Sequence, residues 1–126
     1  MLAPRTSYLG KHSAMISSRE SVKRQRVEFL RQAAREVEEA LEWYNERSTL
    51  AALEFLQEVD HALQLAAQRP QAWPAFEAGT RRIVMQRYPF SIIFRVAAGT
   101  IQVVAVAHHK RKPSYWRYRR TSPTGR

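Results

Sequence analysis

The chain contains no cysteine, which removes disulfides, thiolate metal sites and sulfur redox chemistry at once and leaves a reducing compartment permitted but not required. No apolar run approaches the roughly 20 residues of a membrane-spanning helix. No secretory apolar segment ahead of a cleavage site is visible either. Internal repeats and low-complexity tracts are also missing. Acidic residues are scarce, 11 against 21 Lys and Arg, which leaves a formal charge of +10. A chain of 126 residues is then expected to be one soluble, cytoplasmic domain with a real core and a basic surface.

The charge is unevenly placed. Residues 1–27 hold six bases against Glu20, residues 28–60 hold three bases against nine acids, and residues 61–126 hold twelve bases against Glu77. A chain acidic in its middle and basic at both ends presents a face suited to a polyanion or an acidic partner.

Residues 1–21, with Pro4, Gly10, five serines and no apolar period, read as a flexible basic arm. Residues 22–120 form the domain and 121–126 a tail. Alternation around Val27 and Phe29 predicts a first strand over 22–30. Ala33, Ala34, Val37, Leu41 and Tyr44 recur at helical spacing over 32–47, and Leu53, Leu56, Val59, Leu63, Ala66 and Ala67 do so over 50–68. Ser48-Thr49 between them supplies a break and a cap, giving an antiparallel helical hairpin. Pro70 ends the second helix, and 71–80 is a loop pinned by its aromatic residues. Strands follow at 81–87, 90–96 and 101–108, with short links, and Gly99 is the clearest hairpin signal. The fold class is α+β, of order β-α-α-β-β-β, with the helical hairpin packed on one face of a curved antiparallel sheet.

Ile101, Val103, Val104 and Val106 suit a buried strand, and the chemistry starts where it stops. His108, His109, Lys110, Arg111 and Lys112 precede Pro113, which cannot continue a sheet ladder, so the cluster is expected in solvent, facing a partner. Metal-free RNA cleavage needs an acid, a base, cations on the phosphate and often a stacking ring. His109, Arg111 and Tyr115 supply that inventory. Adjacent strand residues point to opposite faces, and His109 is favoured because His108 continues the alternation of Val104 and Val106. Two adjacent histidines without a carboxylate are a poor metal site, so no metal and no cofactor are expected. Lys110, Arg111 and Arg117 are placed to grip phosphates or carboxylates, with Trp116 either stacking on a partner or packing over the sheet edge. Arg87 and Arg95, with Arg82, line a basic sheet surface or simply alternate outward.

Several runs carry a resemblance: Glu38-Glu39-Ala40-Leu41-Glu42-Trp43-Tyr44, Phe55-Leu56 followed by Val59, Arg69-Pro70 with Trp73-Pro74, Arg81-Arg82 followed by Tyr88-Pro89-Phe90, and Ala105-Val106-Ala107-His108 closing with Lys112-Pro113-Ser114-Tyr115-Trp116. Together they resemble the RelE/ParE toxin superfamily over about 27–120, and most closely its ParE-like branch, known as plasmid-stabilisation proteins. The resemblance implies a type II toxin held by a cognate antitoxin in a hetero-oligomer, with DNA gyrase as the target in the ParE-like branch and ribosome-bound mRNA in the RelE-like branch. Arg82 and Arg111 fall where RelE-like nucleases carry basic catalytic residues. Val84 and Ser91 fall where two more would stand, and Tyr115 and Tyr118 are out of register with the tyrosine of those nucleases. The incomplete set favours gyrase poisoning, with a metal-independent endoribonuclease using Arg82, His109, Arg111 and Tyr115 as the alternative.

Overall fold

The computed structural model describes residues 25–120. The expected arm at 1–21 and tail at 121–126 lie outside the described residues. Within them the order is β1 (Arg26–Phe29), α1 (Arg31–Arg47), α2 (Thr49–Gln68), β2 (Arg81–Val84), β3 (Phe90–Ala97) and β4 (Thr100–His108). Two short 3-10 turns, Pro70–Ala72 and Glu77–Gly79, fill the loop before β2.

Ser48 is both the end of α1 and the start of α2. Its N–H donates to Tyr44 O at 2.7 Å, and its Oγ accepts from Ala51 N at 3.1 Å. One small residue thus closes one helix and caps the next, which allows the tight reversal. Leu30, at the N-cap of α1, offers no side-chain cap and is 1 % exposed, so this position is spent on core packing instead.

β2, β3 and β4 form the antiparallel meander expected from their short links, and β1 lies parallel to β4, which makes the sheet mixed, in the order β1-β4-β3-β2. A crossover through two helices is what permits the parallel pair. The β3-β4 turn places Ala98 at φ 50° and Gly99 at φ 76°, two successive left-handed residues as a tight hairpin requires. β2 stops at Val84 rather than at residue 87 because Tyr88 is drawn to the helices. Its ring meets Tyr44 and Phe55 at 5.1 and 5.3 Å, and its hydroxyl donates to Ala51 O at 3.0 Å.

Both faces of the sheet are covered. The first core lies under the helices and includes Phe55, Val59, Ile92, Phe94, Ile101, Val103 and Val106; the second lies on the opposite face and holds Leu30, Ile93, Val104, Ala105 and Trp116. Trp73 packs against the first core and Phe76 against the second, so the loop at 71–80 is pinned from both sides. A bulge explains how β4 serves both cores. Ile93 pairs with Ala105 and Phe94 with Val103, leaving Val104 as an extra residue. Val104 and Ala105 therefore join the same core, while Val103 and Val106 join the other. The expected alternation of Val104, Val106 and His108 is corrected by this bulge: Val104 faces away from Val106. Val96, near the end of β3, is 44 % exposed.

Phe55 is fully buried and stacked among Tyr44, Tyr88 and Phe90. Phe55→Ala is expected to cost about 3–5 kcal/mol, read as a lower midpoint in urea unfolding.

Candidate functional site

β1 gives out before β4 does. Leu30 N–H donates to Val103 O at 3.0 Å, and beyond that point β4 has no strand on this side. Its next groups are taken by side chains. Glu36 of α1 accepts from Val106 N–H at 2.9 Å, and Arg119 donates to Val104 O at 3.0 Å. A residue of a parallel strand would engage just such a carbonyl and an amide two positions on. The two side chains are joined to each other by Arg119 Nη1 and Nη2 on the two carboxylate oxygens, at 3.1 and 2.9 Å. Tyr115 OH donates to Glu36 Oε2 at 2.5 Å. The side chains of Glu36 and Arg119 are only 10 % and 14 % exposed, so each charge depends on the other for its solvation.

This ion pair fixes the chain after β4 against the sheet. Trp116, 3 % exposed, packs in the second core 5.9 Å from the Phe76 ring. Ser114, at φ 62°, donates through Oγ to Glu77, and Arg117 reaches the same carboxylate at 3.0 Å. Between this segment and the sheet lies a cleft of about 290 Å³ bordered by Arg82, Ser91, His109, Arg111, Lys112 and Tyr115. The Arg82 guanidinium lies 4.4 Å over the Phe76 ring. Arg111 lies 3.8 Å over the Tyr115 ring and 4.0 Å from Glu36 Oε2, with half its side chain exposed. His109 Nε2 pairs with Ser91 Oγ at 2.9 Å, and its backbone N–H donates to Pro89 O at 2.8 Å.

Burial, and then the hydrogen bond to Glu36, raise the Tyr115 phenol above its ordinary range, so it holds its proton tightly. His108 shares the face of Val106, edge-on to Phe90 at 4.9 Å, and burial followed by Lys110 and His109 lowers its pKa. Its Nδ1 accepts the Lys110 N–H at 3.0 Å. His108 and Arg111 also border a second groove, of about 350 Å³, with Ala40, Trp43, Tyr44 and Phe90. Arg111 thus stands on the ridge between two concavities.

Arg82, His109, Arg111 and Tyr115, the four residues expected of a nuclease, line one cleft. The residues expected to meet a target or antitoxin are scattered. Arg87 is paired with Glu54 of α2 at 2.9 Å, away from the cleft. Arg95 is half-buried and donates to Gln102 Oε1 at 3.2 Å, and burial lowers its pKa. Lys110 is exposed, and Arg117 is exposed but bound to Glu77. Trp116 corrects the expectation that this segment stands wholly in solvent: its ring is what holds the segment down. Among the described residues, no group of three His, Asp or Glu could hold a metal ion.

Glu36 and Arg119 were not anticipated. The available signal was positional: Glu36 shares the apolar stripe of Ala33, Ala40 and Tyr44 rather than the outward face of Glu38, Glu39 and Glu42. Glu36→Ala leaves Arg119 buried without a counter-charge and is expected to cost about 3–5 kcal/mol in denaturant unfolding. Because the Tyr115 pKa is raised on folding, its contribution is complete below about pH 10 and is lost as pH climbs into the folded-state range. Tyr115→Phe is accordingly expected to flatten the alkaline fall in melting temperature relative to wild type.

The sequence profile of the ParE toxin family, described as the toxin of the type II toxin-antitoxin system parDE, matches residues 27–113. That span runs from β1 through the turn after β4 and includes Glu36, Arg82, His109 and Arg111. Among solved structures, the chain is similar to one titled "Chromosomal ParDE TA system from P. aeruginosa", with 22 % identity, a TM-score of 0.60, and coverage of 68 % of this chain and 97 % of that one. This likeness is one of fold. No curated protein matches the chain. With the family profile spanning every strand and helix described above, the chain belongs to the ParE toxins of type II toxin-antitoxin systems.

Proposed function

We propose that this toxin arrests growth in the cytoplasm by binding and poisoning DNA gyrase, and that a cognate antitoxin silences it by covering the ridge at Arg111. The observation that carries this reading is the state of the cleft's proton donors. Tyr115, the phenol a nuclease would use as its acid, is committed to Glu36 with a raised pKa. A group so placed is a poor proton donor near neutral pH. His109 is engaged with Ser91. What the cleft offers outward is charge held in place, above all the Arg111 guanidinium between the Tyr115 ring and Glu36. A planar fork with little freedom left to lose suits recognition of a carboxylate. Membership of the ParE family supports the same choice over RNA cleavage, gyrase being the target that the resemblance to the ParE-like branch implies.

Arg111→Glu is expected to abolish growth arrest on induction while leaving the melting temperature within a few degrees of wild type. Full toxicity in that folded variant would remove Arg111 from the site. In parallel assays, the wild-type protein is expected to inhibit gyrase supercoiling and trap cleaved DNA, and to leave message intact on translating ribosomes. Message cut on the ribosome with gyrase untouched would overturn the proposal. Affinity for the antitoxin is expected to fall as salt rises, since an electrostatic interface is screened; titration calorimetry across ionic strengths measures it.

A further inference from the structure

Tyr118 is 87 % exposed, the most exposed large apolar side chain among the described residues. It is not on a loose end. Trp116, two residues before it, is buried in the second core, and Arg119, the next residue, is clamped to Glu36 and to Val104 O. Arg119 N–H closes the turn on Trp116 O at 3.0 Å. A backbone held on both sides therefore carries a ring into solvent, where it meets no other ring or guanidinium among the described residues.

The charges around this end of the molecule are also unspent. Lys110, Lys112 and Arg120 are exposed and form no salt bridge among the described residues. The acids that meet this segment are already occupied, Glu36 by Arg119 and Tyr115 and Glu77 by Ser114 and Arg117. The outer side of α1 is acidic, exposing Glu38, Glu39, Glu42 and Glu46. Such a polarised surface repels a polyanion at the helices and steers it to the C-terminal end. Exposed ammonium and guanidinium groups on the same 110–120 segment as a projecting ring match a nucleic-acid strand, with phosphates for the cations and a base for the ring.

We propose that the C-terminal end of this protein is a single-stranded DNA contact, in which Tyr118 stacks on an unpaired base while Lys110 and Arg120 meet the flanking phosphates. Single strand is specified because a paired base inside a duplex has no free face for the ring. The choice of DNA over RNA rests on the gyrase reading above, since that target works on DNA.

The test is fluorescence anisotropy on the full-length protein with a labelled 20-nucleotide DNA strand, the same sequence as a duplex, and its RNA counterpart. The single DNA strand is expected to bind more tightly than the duplex, and at least as tightly as the RNA. Tyr118→Ala is expected to weaken the single strand about tenfold and leave the duplex unchanged. At 87 % exposure the substitution removes no packing, and an unaltered melting temperature verifies this. Lys110→Gln with Arg120→Gln is expected to reduce the salt dependence of the logarithm of affinity by about 1.4, at roughly 0.7 per phosphate contact on a single strand. Because residues 1–24 carry bases of their own, the Tyr118 substitution rather than bulk affinity is decisive. Equal affinity of wild type and Tyr118→Ala for the single strand overturns the proposal, as do preference for RNA and binding to an acidic peptide alone. Gyrase inhibition retained by a protein that fails to bind the strand would overturn this inference alone. Strand binding without any effect on gyrase would overturn the target reading alone.

Discussion

A buried carboxylate, Glu36, is the constraint around which the basic end of the molecule is arranged. It serves α1, the unpaired edge of β4 and the C-terminal segment at the same time, through bonds to Val106 N–H, Arg119 and Tyr115. Backbone polar groups left unpaired inside a protein are costly. A short β1 creates that problem for β4, and an ion pair borrowed from a helix and from a segment some 80 residues later solves it. Stability and the placement of the Arg111 guanidinium are thus coupled at one residue. The bonds that satisfy the strand edge also fix the Tyr115 ring, and that ring fixes Arg111.

The two faces of the sheet divide the labour. The helical face carries most of the core, and its outer side is acidic. The opposite face has a smaller core, closed by Trp116, with cations at its rim. A toxin of this family has a cognate antitoxin as a partner. A ridge residue such as Arg111, shared by two concavities, can be used by one partner and blocked by another without any change in the fold.

Much of this was legible in the chain. Helical spacing in α1 and α2, the cap at Ser48 and the hairpin at Gly99 all follow from local rules that tertiary contacts do not override. Arg82 and Arg111 were legible through resemblance, and His109 and Tyr115 through the chemistry of the run after β4; that the four line one cleft is a product of the fold. What could not be read was non-local. The parallel placement of β1 depends on how two helices cross the sheet. The Glu36–Arg119 pair joins residues too far apart for any periodicity to connect, and Trp116 gives no local sign of whether it lies under or outside the sheet. Val104 is the sharpest case, because Val103-Val104-Ala105-Val106 is equally apolar throughout and nothing in it marks the extra residue.

That extra residue acts as a phase shifter. Every side chain downstream of it, from Val106 to the two histidines, points opposite to where an uninterrupted strand would send it. His109 reaches Ser91, and His108 reaches Phe90, only because the count is odd at this point. A shortening of β4 by one residue would keep its hydrophobicity and length nearly the same and yet present the molecule's chemistry inside out, so the sidedness of the toxin is encoded in a single unpaired valine.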